Sequence, residues 1–412
     1  MLARVAIYIL FSFWIISPAT FARSADFSGK AAVDSRFFTE SPALTQQKDG
    51  VAYPSVMIQP EFRRDWGSGS NRLTVIPFAR YDSLDQHRTH WDIREFSWLH
   101  MQKKWDVLVG VGKVFWGSTE SRQLVDIINQ ADLIEKFSGE EKLGQPMANL
   151  NLPTDYGHFS LFYLPYFRER TFPSSDGRFL FEPPVRNSEG KLDGFSHWQP
   201  SFAGRWSKTF GDWDIGIAHF WGVGREPRLI PSFGLGFTHP PTGLIPIYDL
   251  IHQTSIDIQG VLGNWIWKAE AITRSGQGDQ FGAAVVGFEY TKYGVFGGSK
   301  DIGFLLEYLY DGRDLSAPPT PFNNDIFSGV RVVLNDPQST EFLFTNTVDL
   351  DTQATILGFN ASRRLGEKWK IELESRFFTN ISATKNPLVQ SREILTGMRN
   401  DDYIQLRILR HF

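Results

Sequence analysis

The chain has 412 residues, a formal charge of −4, no cysteine, 36 glycines, and aromatic side chains at 15% of all positions. The near-neutral balance excludes a nucleic-acid or polyanion binder, and without cysteine there is no disulfide framework. Mean hydropathy is −0.25 and beyond the leader no run of about 18 apolar residues occurs, which excludes a bundle of spanning helices.

Residues 1–22 carry one basic residue, Arg4, then an apolar run from Val5 to Ile16, then the small-residue stretch Ser17 to Ala22. This is the layout of a secretory signal peptide cut after Ala22. Residues 23–412 are then expected to form one exported domain.

From Phe27 onward the chain alternates apolar and polar residues at period two, in segments of about ten residues. Over 213–221, Trp213, Ile215, Ile217 and Trp221 oppose Asp214; over 247–259, Tyr248, Leu250, Ile256 and Ile258 alternate with Asp249, Gln253, Ser255, Asp257 and Gln259. Over 265–274, Trp265, Trp267, Ala269 and Ala271 oppose Lys268, Glu270 and Arg274. Over 302–310, Ile302, Phe304, Leu306, Tyr308 and Tyr310 oppose Glu307. Over 368–377, Trp369, Ile371, Leu373 and Phe377 oppose Lys370, Glu372, Glu374 and Arg376. The final strand sets Ile404, Leu406, Ile408 and Phe412 against Tyr403, Gln405, Arg407 and His411. Charges on one face of so many strands argue against a soluble sandwich, whose inner face must be its core. They fit an antiparallel up-and-down transmembrane barrel with lipid outside and water inside.

Short turns fall at 103–104, 210–212, 262–264, 335–338 and 365–367, and long connections at about 39–53, 222–246, 311–325 and 379–400. Short and long must alternate between the two rims. That parity holds along the whole chain only if one more strand lies at 144–152, which gives 18 strands, with 16 as the alternative.

The exception is 118–137, where Leu124, Ile127 and Ile128 stand at helical spacing. The spacing predicts a short helix. Either it is an external loop or it folds into the lumen as a constriction, with Glu120, Arg122, Gln123 and Asp126 facing the pore and room supplied by the strand glycines Gly110 and Gly112. Two acids against one base predict at most a mild cation preference at that ring.

The closing strand ending on Phe412 resembles the terminal strand of Gram-negative outer-membrane β-barrels, with Arg410 departing from the family's apolar habit. Gly110 to Gly117, with Trp116, running into Asp126, Asn129 and Asp132 resembles a motif of a poorly characterised porin-like family. The resemblance covers about 25 residues and implies an outer-membrane location. It also implies contact with membrane lipid and lipopolysaccharide, assembly by the barrel-assembly machinery, and a channel for small hydrophilic solutes. Homo-oligomerisation stays open.

Strand parity places Arg36, Arg63, Arg72, Arg80, Arg94, Arg205, Lys268, Arg331, Lys370, Arg376 and Arg407 on the inner face. The acids there are Asp34, Glu61, Asp92, Asp106, Asp214, Asp257, Glu270, Glu307, Glu341, Glu372 and Glu374. So balanced a lining predicts cross-strand pairs rather than a ring of one sign. Inward parity of Phe78, Phe96, Trp98 and Phe220 would suit a sugar slide. His87, His90 and His100 lack the grouping of a metal site, and nothing marks Ser160, near His158, as a nucleophile. No cofactor and no enzymatic activity is expected. The two leading readings are a passive channel and a non-conducting barrel serving as receptor, adhesin or export partner.

Overall fold

The computed structural model describes residues 25–175, 177–233, 241–383 and 395–412; the leader expected over 1–22 lies outside them. Its strands, numbered in chain order, begin with β1 (Ala25–Phe38), β2 (Ala52–Trp66), β3 (Asn71–Asp82), β4 (His90–Met101), β5 (Asp106–Gly112), β6 (Gln145–Thr154), β7 (Gly157–Leu164) and β8 (Lys191–Leu192). They continue with β9 (Ser201–Phe210), β10 (Trp213–Val223), β11 (Arg228–Ser232), β12 (Gly243–Tyr248), β13 (Leu250–Leu262), β14 (Trp265–Ser275) and β15 (Phe281–Val295). The last six are β16 (Lys300–Asp311), β17 (Asn324–Val333), β18 (Glu341–Asp349), β19 (Thr355–Leu365), β20 (Trp369–Thr379) and β21 (Tyr403–His411).

All but β8, β11 and β12 join one 18-stranded antiparallel sheet in sequence order. β21 returns to β1, pairing Arg407 with Asp34 and Gln405 with Arg36, and so closes the barrel. The strand expected at 144–152 is β6, and the count is 18 rather than 16. Phe412 is bound back to β1, its N–H donating to the Gly29 carbonyl at 3.0 Å. Short turns gather at the rim that holds Ala25 and Phe412, and the long connections gather at the other. Among the described residues no helix is long and apolar enough to cross a membrane. The barrel crosses with strands instead.

The outer wall is apolar. Trp265, Trp267, Trp369, Leu406, Ile408, Phe304 and Tyr308 are exposed there, while their strand neighbours Lys268, Glu270, Glu372 and Arg407 turn inward to ion pairs or hydrogen bonds. So continuous an apolar belt is stable only against lipid. The result is a transmembrane barrel.

Two strand expectations need correction. Phe96 and Trp98 do not face the lumen: they are 55% and 41% exposed on the outer wall. Between Ile76↔Glu95 and Pro77↔Ile93 the β3–β4 register slips by one residue. The extra residue, Arg94, inverts the phase of everything after it in β4. Phe78 and Phe220 do face inward and are buried, so no line of lumenal aromatics runs along this wall. The run read over 247–259 is two strands, with Asp249 between β12 and β13. Tyr248 is not lipid-facing but fully buried against Phe167, ring centroids 4.9 Å apart.

Candidate functional site: a strap across the lumen

Between β5 and β6 the chain enters the barrel. Residues 113–144 form an extended strap, not the helix expected over 118–137; only bends, turns and isolated bridges occur there. The backbone hydrogen bonds explain why. Glu270 on β14 takes the N–H groups of Ser118 (2.6 Å), Thr119 (3.1 Å) and Val125 (3.2 Å). Glu307 on β16 takes those of Glu120 and Ser121, both at 2.8 Å. Donors that a helix would spend on its own carbonyls are spent on wall carboxylates. The apolar periodicity is real but serves another purpose. Trp116, Leu124, Val125, Ile127 and Ile128 pack into one buried cluster with the wall residues Phe162, Phe220, Ile251, Ile272, Val285 and Leu309.

Asn129 then ties the strap at its neck, accepting from the Val114 N–H (2.8 Å) and donating to the carbonyls of Gly112 and Leu143 (both 2.9 Å). Beyond it the strap docks on the opposite wall through charge. Arg80 on β3 bridges Glu135 and Asp34, each at 2.8 Å. Arg94 reaches Asp132 at 2.7 Å, and Arg88 donates to the Ile134 carbonyl at 3.1 Å. Burial pushes the Glu135 carboxyl up, but Arg80 and Arg88 outweigh it and hold the group below the ordinary range. The strap therefore runs from the β14–β16 wall to the β3–β4 wall.

Beside it lies a cavity of about 740 Å³, lined by strap residues, by the β17–β21 side of the wall, and by the loops 165–200, 224–249 and 312–323. Glu120, Arg122, Gln123 and Asp126 all line it, as do Glu374 and Arg376. Their neighbours are specific. Glu120 pairs with Arg331 (2.9 Å), Arg122 with Asp311 (3.0 Å), and Asp126 with Lys142 (3.3 Å). Gln123 folds onto the strap itself, donating to the Thr119 carbonyl at 3.0 Å. Glu374 accepts from the Tyr403 hydroxyl at 2.7 Å, and Arg376 donates to Asn360 at 3.0 Å. The remaining lumen candidates stand elsewhere on the inner wall. Lys268 sits 3.7 Å from Glu289, Lys370 2.8 Å from Glu372, and Arg407 3.4 Å from Asp34. Glu270 is fully buried and is an anchor rather than a solvent-facing charge.

The expectation that Gly110 makes room for the lumenal segment is also corrected. A Cβ there would meet the Phe96 carbonyl oxygen at 2.1 Å and its φ is +134°, so close approach of β4, not of the strap, requires the glycine. His87, His90 and His100 do not converge: they contact the Phe172 carbonyl, the Arg88 carbonyl and Asn71 respectively. Ser160 donates to Asn151 at 2.6 Å, not to His158.

Sequence reasoning missed Arg170, Arg225, Glu226 and the phenylalanines Phe172, Phe179 and Phe181, which reach the cavity from the long loops. The signal was present: Phe167, Phe172, Phe179, Leu180 and Phe181 are too many apolar residues for a solvated loop, and all five are buried. Arg225 donates to the Ile127 and Ile128 carbonyls at 3.2 and 3.1 Å, and burial lowers its pKa to about 9.

No family model matches this sequence, and no curated protein does. The fold is matched by solved porins. Acinetobacter baumannii OccAB3 superposes with a TM-score of 0.53 at 8% identity, over 94% of this chain and 98% of that one. A BenF-like porin from Pseudomonas fluorescens Pf-5 gives 0.52 at 9% identity, over 94% and 97%. The likeness is one of fold. The described residues form a β-barrel of porin-like fold.

Proposed function

We propose that this barrel is a passive channel for small hydrophilic solutes in the Gram-negative outer membrane, with the strap as its constriction. One observation carries the reading: the strap is anchored on two opposite walls and leaves a cavity beside it whose polar face carries Glu120, Arg122, Asp126 and Arg376. An 18-stranded barrel is wide enough to conduct unless something narrows it. The rim of short turns faces the periplasm and the long loops face outward among lipopolysaccharide, as in barrels of this type. The β21 end is then presented to the barrel-assembly machinery.

Planar-bilayer recording of the refolded protein tests this directly. Discrete conductance steps are expected, and deletion of residues 120–134 should enlarge them while the barrel remains assembled. Silent bilayers with the assembled wild-type barrel overturn the channel. An unchanged step size in the deletion moves the constriction elsewhere.

A further inference from the structure

We infer that the lipid-facing wall around Asn346 on β18 is a contact between two copies of this chain, related by a two-fold axis. The inference goes beyond the channel reading and stands whether or not the lumen conducts.

It starts from what lipid can satisfy. Thr345 and Thr347 line the cavity, so by strand alternation Asn346 between them points outward, into the apolar belt. It is the sixth of nine residues in β18, and its cross-strand partner Ser328 is the fifth of ten in β17. Both therefore stand near the middle of the belt. Asn346 is half-buried, and its Oδ1 has no hydrogen-bond partner. Among the described residues neither its amide nor the Ser328 hydroxyl enters a side-chain hydrogen bond. Acyl chains at that depth offer neither donor nor acceptor, so the amide stands there at a cost.

The far wall has no such feature. At the same height β5 and β7 expose Val109 and Leu161. Polar groups do face outward on β10 and β13, but there His219 Nδ1 and Thr254 Oγ1 lie 2.9 Å apart and satisfy each other. What meets an unpaired amide best is a second amide, because each carries donors and an acceptor and rotation about χ2 presents either end. A two-fold axis is the arrangement that sets a residue against itself. Two Asn346 side chains facing across it close a reciprocal pair of hydrogen bonds. Phe344, Ile326 and Leu357 are exposed around them and form an apolar rim. In lipid that rim gains little over acyl chains, so polar pairing and close packing decide association. The inner side of the wall agrees with this placement. The strap's apolar cluster backs β7, β10 and β13–β16 through Phe162, Phe220, Ile251, Ile272, Val285 and Leu309. Behind Asn346 lies the cavity instead, so a neighbouring barrel would buttress the stretch of wall that the strap leaves bare.

The chain has no cysteine, so single-cysteine variants report the contact cleanly. The refolded full barrel in phosphatidylcholine vesicles is oxidised with copper–phenanthroline. Asn346→Cys is expected to give a disulfide-linked species of twice the chain mass, and Leu161→Cys on the far wall to stay single. Sedimentation equilibrium of the wild type in zwitterionic detergent, over a series of protein concentrations, should show a reversible step from one chain to two. Asn346→Leu should raise the dissociation constant of that step roughly tenfold, while Asn346→Gln, which keeps the amide, should stay closer to the wild type. The heat-modifiable gel shift of a closed barrel is expected in every variant, which separates a lost contact from a lost fold. A wild type that remains a single chain at every concentration, an equally tight dimer from Asn346→Leu, or equal cross-linking at 161 each overturns the contact. Assembly at three times the chain mass overturns the two-fold axis. Single-channel conductance has no bearing on any of these outcomes, so failure of the channel and failure of the contact are read separately.

Discussion

The two halves of the strap are held by opposite means. Residues 116–128 dock mainly through apolar side chains and backbone N–H groups capped by Glu270 and Glu307, with ion pairs from Glu120 to Arg331 and from Arg122 to Asp311 added at the cavity side. Residues 129–143 dock through buried guanidinium–carboxylate pairs at Arg80 and Arg94. Apolar burial is stabilising on its own, roughly 1.5–3 kcal/mol per large side chain. A buried ion pair is close to neutral against a hydrophobic replacement but very costly to break on one side. The first half therefore supplies adhesion and the second supplies register. A constriction needs both, since an adhesive segment without register would still slide along the wall.

The largest expected effect comes from breaking the charged half. Arg80→Ala leaves Asp34 and Glu135 buried without their shared partner, and should cost roughly 3–5 kcal/mol in urea unfolding of the refolded barrel. Arg80→Ala paired with Glu135→Ala should recover part of that loss. If the double change is as unstable as the two single losses added, the pair is not coupled and the register argument fails.

In the apolar half, Ile128→Ala removes a fully buried side chain and should weaken strap docking by roughly 2–5 kcal/mol. Noisier and larger conductance steps are expected, with the barrel still assembled. A quiet, unchanged channel would show that the first half does not need its apolar cluster. Glu270→Gln is milder. It keeps an acceptor oxygen but loses the charge that three backbone donors share, at roughly 1–3 kcal/mol, and faster proteolysis within 118–125 would report it.

The barrel was legible in the sequence because period-two alternation is imposed by two solvents, lipid and water, on every strand. Lys370 and Ile371 announce their faces without any knowledge of neighbours. Parity of short and long connections then required β6, although 144–152 (GQPMANLNL) has little strand character of its own. What sequence could not show was tertiary. The bulge at Arg94 re-aims Phe96 and Trp98 through a slip against Pro77, which has no N–H to hold the register. Leu124, Ile127 and Ile128 carry a helical spacing that a curved wall satisfies equally well, once Glu270 and Glu307 take the backbone donors. The same two-solvent logic gives a check that Cys-free chemistry makes simple. A lipid-facing charge costs roughly 2–4 kcal/mol at the bilayer midplane and less toward either interface, so Ile371→Lys should destabilise the barrel while Lys370→Gln changes it little. Aqueous labelling of a cysteine at 371, with 370 protected, would put the β20 register off by one.

The smallest expected effect separates the halves by pH alone. Glu135 lies in the strap outside the strands, and Arg80 and Arg88 together hold its carboxyl below the ordinary value of 4.5 against the push of burial. For a depressed carboxylate, stability is fully present above the unfolded value and is lost as pH falls through the folded one. Docking of 129–143 should thus be constant from pH 8 down to about 4.5 and weaken below it. In the first half the apolar side-chain contacts of Ile127 and Ile128 do not titrate, whereas the backbone anchors of 118–125 are themselves carboxylates and fall outside the comparison. Hydrogen exchange on the refolded barrel, with intrinsic rates corrected for pH, should show amides of 131–136 losing protection below that point while Ile128 keeps its own. Glu135→Gln should remove this carboxylate's part of the difference at the cost of weaker docking at neutral pH. Equal loss in both halves would mean that the strap leaves the wall as one unit, and that register and adhesion are not divided between them.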